Sequence, residues 1–147
     1  MSVQRWVVVW VVFLFSAMVG AQPIALNKEG IAIDGYDPVA YFVHNKAVKG
    51  KPEFALLWEG TTYHFESLEH MRIFAYEPPR YVPQYGGYCA YGVARGAKPL
   101  ADPTAFTVRD GKLYLNRDAN VRKEWLVDAN AHIAAADRHW LRIASGK

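Results

Sequence analysis

The chain has 147 residues, with 17 lysines and arginines against 14 aspartates and glutamates, and a net charge of +3 with histidine neutral. That excess is too small, and too evenly spread, to give an electrostatic footprint for nucleic acid, so no nucleic-acid partner is expected. No internal repeat, low-complexity tract or acidic tail interrupts it, and the length suits one domain with its own core.

The chain opens on Met1 to Arg5, runs through the apolar stretch Trp6 to Gly20 and then turns polar. This is the layout of a secretory signal peptide, with Val19 and Ala21 as the small residues before a cut ahead of Gln22. The apolar stretch falls short of the roughly 20 residues a helix needs to cross the hydrocarbon core. The expectation is a leader over residues 1–21 and an exported product, periplasmic or secreted, over 22–147, touching the membrane only if the leader stays uncut. A single arginine, Arg5, precedes the apolar run, so the twin-arginine signal is missing and a cofactor would be acquired after export.

Along the mature part, Asp34-Gly35-Tyr36-Asp37-Pro38 reads as a turn into a short helix, with Asp37 as N-cap and Pro38 at the first helical position. His44 to Pro52 reads as an exposed polar loop. Phe54–Trp58 and Thr61–Phe65 flank Glu59-Gly60, a hairpin signature. Ser67 then caps a helix whose Leu68, Met71 and Phe74 recur at helical spacing, and Pro78-Pro79 ends it. Tyrosines and glycines crowd around Cys89 from Tyr81 to Gly92. A second hairpin pairs Ala105–Val108 with Lys112–Leu115 through Arg109-Asp110-Gly111. Two amphipathic helices follow, one marked by Val121, Trp125 and Leu126, the other by Ile133, Ala136, Trp140 and Leu141. The fold class is α+β: a small antiparallel sheet of two hairpins packed with several helices.

Cysteine usage directs the functional reading. An exported chain normally pairs its thiols, and Cys89 has nothing to pair with inside the molecule. It is a free thiol, an intermolecular partner, a metal ligand or a buried small hydrophobe. Residues 89–94 suit a short helix with the thiol in its first turn, where the helix dipole favours a thiolate, and Arg95 and Lys98 follow closely. None of the five histidines shows a tight metal-binding spacing. His70, four residues beyond Glu66, and His64, on the opposite strand face from Tyr63 and Phe65, are the imidazoles that would join Cys89 in a soft-metal site. His132 and His139 read as a solvated helix face. Neither a nucleophile-elbow serine nor a phosphate-binding glycine loop is present, so the sequence leaves open whether the protein is an enzyme.

Three segments in order, Gly35-Tyr36-Asp37-Pro38-Val39-Ala40-Tyr41-Phe42, Tyr85-Gly86-Gly87-Tyr88-Cys89-Ala90-Tyr91-Gly92-Val93-Ala94 and Asp110-Gly111-Lys112-Leu113-Tyr114-Leu115-Asn116, resemble the exported branch of the YHS-domain family, over about Gly30 to Trp140. The resemblance implies the same α+β fold. Cysteine-rich relatives are associated with heavy-metal binding through cysteines after the Asp-Pro-Val motif and near the helix start. At the matching places this chain has Ala40, Glu66 and His70. In some relatives the residue matching Cys89 is selenocysteine, which implies redox or soft-metal chemistry there. Two functions are thus expected ahead of a bland interaction domain. One is soft-metal handling, of copper above all, by Cys89 with His70 or His64. The other is a thiol redox role for Cys89 that needs a separate reductant. Tyr36, Asp37, Glu66, Tyr88 and Tyr91 are the further residues expected to line the site.

Overall fold

A computed structural model describes residues 21–147, so the leader predicted over 1–21 lies, but for Ala21, outside the described residues. Two two-residue turns organise the strands. Glu59 and Gly60 sit at φ 47° and 75°, and Asp110 and Gly111 at 50° and 71°. Positive φ at both central residues defines the tight hairpin turn that matches strand twist. They close β1 (Lys51–Trp58) on β2 (Thr61–Phe65), and β3 (Asp102–Arg109) on β4 (Lys112–Asn116). Each hairpin is a separate two-stranded antiparallel sheet rather than half of one common sheet, and β1 and β3 each carry a register shift near their starts.

Among the described residues six α-helices complete the α+β domain: α1 (Ala40–Val43), α2 (Leu68–Tyr76), α3 (Pro78–Tyr81), α4 (Ala90–Ala94), α5 (Ala119–Val127) and α6 (Ala129–Ala144). Ser67 caps α2 by accepting the His70 N–H at 3.1 Å, as its position predicts. Asp118 and Asp128 cap α5 and α6 in the same way. The proline pair does stop α2, but it also starts α3, because proline is tolerated in a first helical turn whose N–H groups lack partners anyway. Among the described residues no helix is long and apolar enough to cross a membrane.

Strand β4 divides the interior. Leu113 and Leu115 join a first core with Val39, Tyr41, Tyr63, Phe65 and Phe74. Tyr114, on the opposite face of the strand, joins a second with Tyr85, Val93, Trp125 and Ala136. Asn116 has the same parity as Tyr114 and is buried on that side. Two helical assignments need correction in detail: Leu126 and Leu141, expected on buried faces, are 39% and 75% exposed, and Trp125 and Ala136 carry the packing instead.

Candidate metal centre

The first core delivers one polar group to its edge. Asp37 is fully buried, and its carboxylate is saturated. Oδ1 accepts the N–H groups of Val39 at 2.8 Å and Ala40 at 3.2 Å, closing the turn that leads into α1. Oδ2 accepts the Glu66 N–H at 2.9 Å and lies 2.7 Å from His70 Nδ1. The cap expected of Asp37 shifts, because α1 begins at Ala40 with Val39 at its N-cap and Pro38 lies in the preceding turn; the Asp37 side chain closes that turn and ties the start of α1 to the end of β2 and the first turn of α2.

A carboxylate already holding three backbone N–H groups is an acceptor, so the His70 Nδ1 carries a hydrogen, and Nε2 is the ring nitrogen left to face outward from this bond. His70 is itself 5% exposed. Beside it stand Glu66, just before the Ser67 cap, and His44, which closes the C-terminal end of α1. The His44 and His70 rings are 5.1 Å apart between centroids, and His44 Nε2 lies 3.3 Å from Glu66 Oε1. One ligand atom from each of His44, Glu66 and His70 falls within 4.8 Å of the others. Donors bound at about 2.1 Å to one tetrahedral ion stand roughly 3.4 Å apart, so a modest closing movement is needed. The His44 and Glu66 side chains are 42% and 29% exposed, which leaves them room to make it.

The set read from the sequence is distributed differently. Of Cys89, His70 and His64, only His70 belongs to this cluster, and among the described residues no other group of three such ligands is assembled. His64 does stand on the outer face of β2, but it packs against Gly35, where an added side chain would meet its ring. Cys89 is 2% exposed, at the N-cap of α4 rather than inside its first turn. Its N–H donates to Pro99 O at 2.9 Å, it bridges to Leu115 of β4, and its Sγ approaches Asn116 Oδ1 at 3.6 Å. Neither nearby cation serves the sulfur: Arg95 bonds to the Tyr91 hydroxyl and lies over that ring, and Lys98 lies over Tyr88.

The other lining residues separate in the same way. Asp37 and Glu66 belong to the histidine cluster. Tyr36 packs against the first core, with Lys49 Nζ 4.9 Å from its ring centre. Tyr91 gives its N–H to Asn116 Oδ1 at 3.2 Å and meets the edge of His132, while Tyr88 packs on Trp140. His132 is no freely solvated residue, because its Nδ1 engages Trp125 O at 2.9 Å. His44 is the member hidden in sequence: it begins a polar segment, and its only local signal is its place at the end of the helix that the Asp37 turn leads into.

No protein-family model, no curated protein and no solved structure matches the chain.

Proposed function

We propose that the protein is a metal-binding module whose centre is His44, Glu66 and His70, with Asp37 orienting His70 from behind. The observation that carries this reading is the buried 2.7 Å contact between Asp37 and His70 Nδ1. A metal-ligating histidine characteristically gives its other ring nitrogen to a carboxylate, which fixes the tautomer and aims the free nitrogen. Here that arrangement faces an imidazole and a carboxylate that can complete a three-ligand set. Two nitrogens and an oxygen suit a divalent first-row ion such as Cu(II) or Zn(II) better than Cu(I), and the general affinity order puts Cu(II) first. The YHS resemblance, with its heavy-metal-binding members, and the leader expected for an exported chain agree with copper handling outside the cytoplasm. A redox role for Cys89 draws no support from a sulfur that is buried while Arg95 and Lys98 are engaged elsewhere.

The test is calorimetric titration of the purified protein with Cu(II) and Zn(II), beside His44→Ala, Glu66→Gln and Cys89→Ser. Binding near one equivalent is expected, weakened about tenfold or more by His44→Ala and unchanged by Cys89→Ser. Binding that survives His44→Ala and disappears with Cys89→Ser would move the centre back to the thiol.

A further inference from the structure

The Tyr85-Gly86-Gly87-Tyr88 segment takes no part in the histidine cluster, yet it is built at a conformational cost. Tyr85 sits at φ 56°, ahead of Gly86 at 61° and Gly87 at 82°. A non-glycine residue in the left-handed region is strained and persists where the surroundings impose it. The surroundings do so here. A Cβ on Gly86 would fall 2.1 Å from Pro23 O, and the Gly86 carbonyl accepts the Ala25 N–H at 2.9 Å, so the N-terminal segment is laid directly on the turn. The turn aims the Tyr85 ring at α6, where its hydroxyl donates to Asp137 Oδ1 at 2.8 Å. Burial, and then the Asp137 carboxylate, raise the pKa of that phenol far above its ordinary value, so it remains a donor at every working pH.

Beside this arrangement opens a cleft of about 1060 Å³. Trp58, Tyr63, Tyr85 and Trp140 supply aromatic walls, and Tyr85 and Trp140 brace each other edge-on at 5.9 Å. Among the described residues the only charged side chains lining it are Glu59 and Asp137, in a chain whose net charge is positive; a leader cut ahead of Gln22 adds one α-ammonium to the lining and still leaves the carboxylates in excess. The Tyr85 bond fixes one oxygen of Asp137, and no hydrogen bond among the described residues reaches the other. Aromatic faces and carboxylates together are the surroundings that stabilise an organic cation, through the ring quadrupole and direct charge attraction, and that repel an anion. Most ligand pockets are of this kind, apolar with few polar groups that fix orientation.

We propose that this cleft is a second binding site, independent of the metal centre, for a small organic cation with an apolar or aromatic body. Its cationic end is held by Asp137, with Glu59 as the second carboxylate of the lining, and its body lies against Trp58 and Trp140.

The experiment is calorimetry of the purified protein with benzyltrimethylammonium and phenethylammonium, and with phenylacetate as the anion of similar size. Saturable binding of a cation is expected, weakened about fivefold or more by Asp137→Asn and by Trp140→Ala, with phenylacetate not binding. The amide oxygen introduced by Asp137→Asn would still accept the Tyr85 hydroxyl, and Glu59→Gln on its exposed turn provides a further variant should α6 tolerate neither change. No binding of either cation would overturn the proposal, as would phenylacetate binding equally well or cation binding indifferent to all three substitutions.

Discussion

Asp37 and Asn116 are both completely buried polar side chains, and each stands beside a residue the sequence marks for chemistry. Asp37 meets four donors and holds His70 at the edge of a cluster that opens to solvent. Asn116 is poorly matched: its Oδ1 takes the Tyr91 N–H at 3.2 Å and the Cys89 thiol at 3.6 Å, and its Nδ2 has no partner among the described residues. The first arrangement presents a histidine, and the second shuts a thiol away. The rarest residue in the chain is therefore not the one whose surroundings are best organised for binding, and an ordinary histidine at a helix end is.

The sharpest way to break that contrast is to remove the two polar side chains in turn. Asp37→Ala strands three backbone N–H groups and one imidazole in the interior. At about 1–3 kcal/mol for each buried donor left unsatisfied, with some relief from entering water, we expect a loss of about 3–5 kcal/mol in urea unfolding. Asn116→Ala removes an already unpartnered Nδ2 together with two long contacts, so about 1–2 kcal/mol is expected, partly from the cavity it leaves. An equal or larger loss for Asn116→Ala would show that the second site is the better satisfied one. It would also remove the argument that Asp37 is the organising group.

Local chemistry made much of the fold readable. Glu59-Gly60 and Asp110-Gly111 announce their hairpins because two consecutive positive-φ residues are needed there and few residue types tolerate it. Ser67 announces α2 because a cap is an interaction across three residues. The sites are readable only in part, since their contacts come from distant segments. Asp37, Glu66 and His70 stand out singly, but nothing local brings His44 to them, because the shared carboxylate that ties α1 to the start of α2 lies outside both helices. The environment of Cys89 is likewise set from outside its helix, by the parity of Asn116 on β4 and by the Pro99 carbonyl. A single unpaired cysteine marks a position in the sequence but carries no information about its burial.

The smallest expected effect distinguishes the two cores rather than the two polar groups. Both bury tyrosines whose ionisation is opposed by loss of solvation: Tyr85 and Tyr114 in the second core are raised mainly by burial, and Tyr63 in the first is pushed up to about 12, by burial and then by the nearby Glu59 charge. Well below pH 10 these phenols are protonated whether the chain is folded or not, and they add no pH dependence. Above it the unfolded chain loses its protons first, so the native state binds more of them and stability must fall as pH rises. For Tyr63 the window runs from 10 to about 12. Tyr63→Phe takes one titrating group out of the first core and leaves the second untouched, so the variant should lose stability less steeply than the parent across that window. The check is the slope of unfolding free energy against pH, which cancels the constant cost of the substitution. Parallel slopes would mean that the Tyr63 hydroxyl ionises in the folded protein as freely as in the unfolded chain, and the alkaline loss would then belong to the other buried tyrosines.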